Sequence, residues 1–93
     1  MSEVAARLIV TGRVQGVGYR WWTIGQAKRF KLRGWVRNRR DGSVEILAIG
    51  EPAAIDRLEK ACLRGPEGAA PEKVTREPAE ADASAGFAQL ATV

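Results

Sequence analysis

Gly34-Trp35-Val36-Arg37-Asn38-Arg39-Arg40-Asp41-Gly42-Ser43-Val44-Glu45-Ile46-Leu47-Ala48-Ile49 carries the strongest local structural signal in the chain. Two runs rich in branched and aromatic residues flank Arg39-Arg40-Asp41-Gly42. Asp-Gly between such runs marks a hairpin, because glycine accepts the positive φ that a tight turn needs. In the second run Val44, Ile46 and Ala48 alternate with Ser43, Glu45, Leu47 and Ile49, the period of a strand. Two antiparallel strands are therefore predicted over 34–38 and 43–49.

Upstream of the hairpin, a helix is predicted from Tyr19 to about Phe30, with Trp22, Ala27 and Phe30 on one face and Gln26, Lys28 and Arg29 outside it. Gly25 within it costs about 1 kcal/mol against alanine. Before the helix, Arg7-Leu8-Ile9-Val10-Thr11 reads as a strand continuing to Arg13-Val14, and the glycine-bearing loop Gln15-Gly16-Val17-Gly18 joins the two. Downstream, Gly50-Glu51-Pro52 opens a second helix, with Ile55, Leu58, Cys62 and Leu63 on its apolar face and Gly65-Pro66 as its stop. Residues 65–86 are dominated by Gly, Ala, Pro and Glu, with Val74 the one large aliphatic side chain. A short strand near Lys73–Glu77 and a last one near Gly86–Leu90 complete the pattern. The order βαββαβ is the split βαβ arrangement of the ferredoxin-like sandwich, an α+β fold with two helices on one face of an antiparallel sheet. Fold at this level hosts enzymes, RNA-binding modules and regulatory domains alike.

At 93 residues the chain is expected to form a single domain over 1–93. Its 45% hydrophobic content argues against disorder. One cysteine, Cys62, precludes an internal disulfide, and no apolar run approaches membrane-spanning length or a signal peptide. A cytoplasmic monomer with no membrane partner is the expectation. The net charge of +4 conceals an asymmetry: residues 1–40 carry ten Lys/Arg and one acid, whereas residues 41–93 carry five Lys/Arg and ten acids. That polarity suggests an anionic ligand near the first half, although solvated surface charge explains most of these side chains.

Gly12-Arg13-Val14-Gln15-Gly16-Val17-Gly18-Tyr19-Arg20 places a glycine-bearing loop between a strand and a helix N-terminus. Backbone N–H groups in such a loop can converge on an anion, with the helix dipole adding favourable potential. Arg20 at the helix start could add a bidentate contact to phosphate oxygens. Asn38, ending the strand after the helix, could face the same anion and hold a water through its amide without titrating. Taken singly, each feature has an ordinary structural explanation: a turn with glycines, a surface arginine, an asparagine before a hairpin.

Together, the Gly-Arg-Val-Gln-Gly-Val-x-x-Arg segment ending at Arg20 and the Gly-Trp-Val-x-Asn…Gly-x-Val segment containing Asn38 resemble the acylphosphatase family. The match is close from Val10 to Glu45 and looser through the second helix, Gly65-Pro66 and Gly86-Phe87. The resemblance implies the ferredoxin-like fold and hydrolysis of the carboxyl–phosphate bond of small acyl phosphates to carboxylate and inorganic phosphate, without metal or organic cofactor. Carried over by position, it makes Arg20 the phosphate-binding arginine. Gln15, Gly16, Val17, Gly18, Tyr19 and Arg20 become the backbone cradle for phosphate, and Asn38 the residue that positions the attacking water. Departures are mild. Gly18 stands where a bulky residue is frequent, and Arg39 where threonine is frequent.

The chemistry agrees with the residue types present. The chain has no histidine and no Cys/His or dense carboxylate group for zinc or magnesium. An acyl phosphate expels a carboxylate whose conjugate acid has a pKa of roughly 4, so no general acid is needed. Positioned water and stabilised phosphoryl charge suffice. The rival readings are an RNA-binding module and a regulatory domain that keeps the fold without the activity. The first expects aromatics on the central strands, where Arg7, Ile9, Thr11 and the third strand offer none, so no nucleic-acid partner is expected. The second is disfavoured by retention of both Arg20 and Asn38. Trp22 and Trp35 are assigned to core or near-core packing, Tyr19 to packing rather than reaction, and Cys62 to an inert buried thiol. One of Trp21 and Trp22 must face away from the sheet.

Overall fold

The computed structural model describes residues 3–93. Its elements run β1 (Val4–Arg13), α1 (Tyr19–Arg29), β2 (Arg33–Asn38), β3 (Val44–Gly50), α2 (Pro52–Arg64), β4 (Ala70–Pro78) and β5 (Phe87–Gln89). The sheet order is β4-β1-β3-β2-β5. Four strands pair antiparallel, with Leu8 opposite Ile46 and Val36 opposite the same Ile46. The short β5 adds a fifth strand, parallel to β2. The α+β ferredoxin-like sandwich is thus extended from an all-antiparallel sheet to a mixed one.

Strand alternation makes two different faces. Ala6, Leu8 and Val10 of β1, Val36 of β2, and Val44, Ile46 and Ala48 of β3 point to the helices and form the core with Ala54, Ile55, Leu58 and Cys62 of α2. From α1 the fully buried residues are Tyr19, Thr23 and Ala27, while Trp22 and Phe30 pack at the core's margin. Thr23 is tolerated there because its hydroxyl donates to the Tyr19 carbonyl one turn back, at 2.8 Å. Leu63 departs from its predicted place on the apolar face of α2 and is 51% exposed. Ala61 takes that place beside Cys62.

Trp35, assigned to core or near-core packing, lies outside the core cluster. Val36 is the inward residue of β2, so Trp35 lies on the face away from the helices, half-buried, with the Arg37 guanidinium 4.6 Å from its ring centroid. On that face Glu45 of the central β3 is buried and accepts from Arg7 at 2.6 Å and Arg37 at 2.7 Å. Burial pushes the Glu45 carboxyl upward, and the hydrogen bonds from Arg37 and Arg7 outweigh it, holding the group below the usual carboxylate range. The neighbouring Gly34 is required by close packing. Its φ is +138°, and a Cβ there would stand 1.9 Å from the Leu47 carbonyl oxygen.

Because β1, β2 and β5 all run the same way, their C-terminal ends reach one edge of the sandwich, and α1 begins there. The predicted strand near Lys73–Glu77 is the longer β4, Ala70–Pro78, at the outer edge against β1.

Candidate active site

Where those strand ends meet α1 there is a pocket of about 140 Å³. Val14, Gln15 and Gly16 come to it from the loop after β1, and Gly18, Tyr19, Arg20 and Trp21 from the start of α1. Asn38 enters from the end of β2 and Gln89 from the end of β5. The volume suits a small polar group, since drug-sized ligands occupy sites of roughly 300–1,000 Å³.

Gly18 forms the N-cap of α1 in the left-handed region, with φ 79° and ψ 18°. A glycine cap has no side chain to accept from the first-turn N–H groups, and no acidic residue lies in that turn. The first intrahelical bond runs from Trp22 N to Gly18 O at 3.0 Å, so the N–H groups of Tyr19, Arg20 and Trp21 precede the internal ladder. This helix end therefore presents donors and positive potential to the pocket. Arg20 is half-buried and, among the described residues, makes no ion pair.

Asn38 sits opposite Val44 at the end of β2, on the helix side of the sheet like Val36. Its Oδ1 is buried and has no hydrogen-bond partner among the described residues. A buried acceptor left unpaired costs about 1–3 kcal/mol, which marks the position as set by something other than stability. The backbone of Asn38 is held firmly: its carbonyl accepts from Val93 N at 3.2 Å, and Arg40 N donates to Val93 O at 2.7 Å.

The loop and the hairpin are tied together by Gln15. Its Nε2 donates to the Arg39 and Ser43 carbonyls, each at 2.8 Å, across the turn that follows Asn38. Asp41 Oδ1 braces the same turn by accepting from Ser43 N at 2.9 Å and Ser43 Oγ at 2.6 Å. These bonds from Ser43 hold the Asp41 carboxyl below its ordinary value.

Arg20, Asn38, Gln15, Gly16, Gly18 and Tyr19, all singled out in the sequence, line one pocket. Val17 does not; its side chain packs against the core. The Tyr19 ring is buried and its hydroxyl donates to the Cys62 carbonyl at 2.7 Å. Burial pushes its phenol far above the ordinary value. Val14 and Gln89 also line it and carry no site assignment in the sequence. The strand expected near Gly86–Leu90 is β5, Phe87–Gln89, but nothing in its three residues marks Gln89 as a site residue. For Gln15 the sequence points to the backbone, whereas its side chain makes the brace.

Comparison with known proteins places the chain in a family. A sequence model of the acylphosphatase family matches residues 6–89. An acylphosphatase of Nitrobacter winogradskyi is 44% identical, with all of both chains covered. An acylphosphatase of Acidiphilium cryptum is 46% identical over 96% of this chain and 98% of its own. The solved structure of an acylphosphatase from Coxiella burnetii superposes with a TM-score of 0.90 at 33% identity, covering 95% of this chain and 93% of that one. With this sandwich and these sequence relatives, the chain belongs to the acylphosphatase family of enzymes.

Proposed function

We propose that the pocket at the start of α1 hydrolyses small acyl phosphates, with Arg20 and the backbone of residues 15–20 holding the phosphoryl group and Asn38 positioning the attacking water. The observation that carries this reading is the buried, unpartnered Oδ1 of Asn38 in the same small pocket as Arg20 and an uncapped helix N-terminus. An anion at the helix start satisfies the first-turn donors, and the Arg20 guanidinium closes on two of its oxygens. A water beside it donates to Asn38 Oδ1, which fixes the oxygen lone pair toward phosphorus.

In the reaction the water oxygen bonds to phosphorus as the bond from phosphorus to the carboxylate oxygen breaks. The carboxylate leaves with the electron pair, and the water's surplus proton passes to solvent. Charge on the equatorial phosphoryl oxygens is met by donors already in place, so little reorganisation is needed at the transition state. A carboxylate with a conjugate-acid pKa of about 4 leaves without protonation. A pocket with no titratable acid or base apart from the remote phenol of Tyr19 is suited to that substrate class and ill suited to phosphate esters. The enzyme is proposed to act as a cytoplasmic monomer without metal or organic cofactor.

The test is hydrolysis of benzoyl phosphate in EDTA by the wild type and by Arg20→Ala and Asn38→Ala. Each variant should retain its circular dichroism and lose about 100-fold or more in kcat/KM. Inorganic phosphate should still inhibit residual Asn38→Ala activity and no longer inhibit Arg20→Ala. A folded wild type that does not turn over benzoyl phosphate defeats the proposal.

A further inference from the structure

The phosphoryl pocket leaves one side of its mouth unexplained. Trp21 lines it and is 80% exposed, an unusual position for the largest apolar side chain. Trp21 also borders a second groove of about 330 Å³, lined by Trp22, Ile24, Gly25, Gln26 and Lys28 of α1 as well. The two cavities meet at Trp21 and at no other lining residue.

Gly25 explains how a groove can exist on a convex helix surface. Side chains of a helix lean toward its N-terminus, so any side chain at 25 would project toward Trp21, one turn earlier. A Cβ built on Gly25 meets nothing within 4 Å. The glycine is thus not forced by packing, and its φ lies outside the left-handed region, so backbone conformation does not require it either. It still lowers helix propensity by about 1 kcal/mol relative to alanine. What it does locally is leave room behind the indole.

We propose that the Trp21–Gly25 groove is the acyl subsite, which selects acyl phosphates with a flat, apolar, preferably aromatic acyl group. The inference rests on the phosphoryl site proposed above. With phosphate held at the helix start, the carboxyl carbon emerges at the mouth, and its substituent lies along Trp21 toward the dent at Gly25. Because Trp21 lines both the groove and the phosphoryl pocket, the substrate's own acyl group is the occupant the groove favours. An indole face offers offset stacking to an aromatic ring, and little to a methyl group.

The experiment compares kcat/KM for benzoyl phosphate with kcat/KM for acetyl phosphate in the wild type, Trp21→Ala and Gly25→Gln. Trp21 is solvent-exposed and glutamine is a better helix former than glycine, so neither variant should impair folding. The benzoyl-to-acetyl ratio should fall about fivefold to tenfold in each, through KM of benzoyl phosphate. A ratio unchanged in either variant overturns the acyl subsite. Failure of the wild type to hydrolyse both substrates would instead overturn the phosphoryl-site reading, so the two failures are distinguishable.

Discussion

Gln15 Nε2 and the Ser43 carbonyl oxygen lie 2.8 Å apart, although 28 residues separate them in sequence. The same nitrogen reaches the Arg39 carbonyl, so one amide clamps the loop that begins the proposed cradle to the turn that follows Asn38. Gln15→Ala should cost about 1–2 kcal/mol in urea unfolding, the value of two neutral, part-buried hydrogen bonds. It should also lower kcat several-fold while substrate still binds, because Asn38 loses its registration against the loop. Gln15→Glu should be worse on both counts, since a carboxylate would face two carbonyl oxygens. Steady-state kinetics beside urea midpoints would show whether the two losses track together.

The contact from Tyr19 to Cys62 solves a problem at the end of α2. In a continuing helix the Cys62 carbonyl would accept from residue 66, which is Pro66 and has no N–H. The Tyr19 hydroxyl supplies that donor at 2.7 Å. Tyr19→Phe should therefore destabilise by about 1–3 kcal/mol, leaving a buried carbonyl unpaired. That corresponds to a melting temperature lower by roughly 5–15 °C for a domain of this size. Catalytic constants should change little if the Tyr19 backbone, rather than its hydroxyl, serves the site.

Burial pushes the Cys62 thiol from its ordinary 9.0 up to about 12, and burial likewise raises the Tyr19 phenol. The unfolded thiol ionises near pH 9 while the folded one keeps its proton, so the unfolded state binds fewer protons above that pH. Stability should consequently fall from pH 9 toward pH 12, at up to about 1.4 kcal/mol per pH unit for this one group. Urea midpoints between pH 8 and pH 11 should show the decline, and Cys62→Ala should make it shallower. In the native state iodoacetamide should leave Cys62 unmodified at pH 8.

Glu45 gives the opposite dependence at acid pH. Its carboxyl is held below the ordinary 4.5, so its contribution is present above that pH and is lost as pH falls through the folded value. Glu45→Gln should lower stability at pH 7 by about 1–3 kcal/mol, less than for a fully buried pair because Arg7 and Arg37 can turn to water. The variant should lose less than the wild type between pH 5 and pH 3, measured by urea unfolding at each pH.

The parts of this fold written by short-range chemistry were legible in the sequence. Asp41-Gly42 announced the hairpin, Pro52 the start of α2, and Gly65-Pro66 its end, each through a backbone restriction that acts alone. The convergence of Arg20 and Asn38 on one pocket was legible through motif and strand order together. The side of the sheet that Trp35 takes follows from alternation: Val36 claims the inward position, and its neighbour Trp35 must face out. The burial of Glu45 was invisible because it depends on Arg7, 38 residues away, as much as on its neighbour Arg37. Gln89 could not be found, since β5 is held mainly by parallel pairing to β2 rather than by its own pattern.

The outer edge strand β4 has a further consequence. β4 runs along an open margin of the sheet as Ala70-Pro71-Glu72-Lys73-Val74-Thr75-Arg76-Glu77-Pro78, with a proline near each end and four charged residues between them. An unpaired margin is a template on which another chain's strand can add, and prolines and charges are what frustrate that addition. The opposite margin, β5, offers only three residues. The poverty of apolar side chains that blurs residues 70–78 in the sequence thus works as protection against cross-β self-assembly.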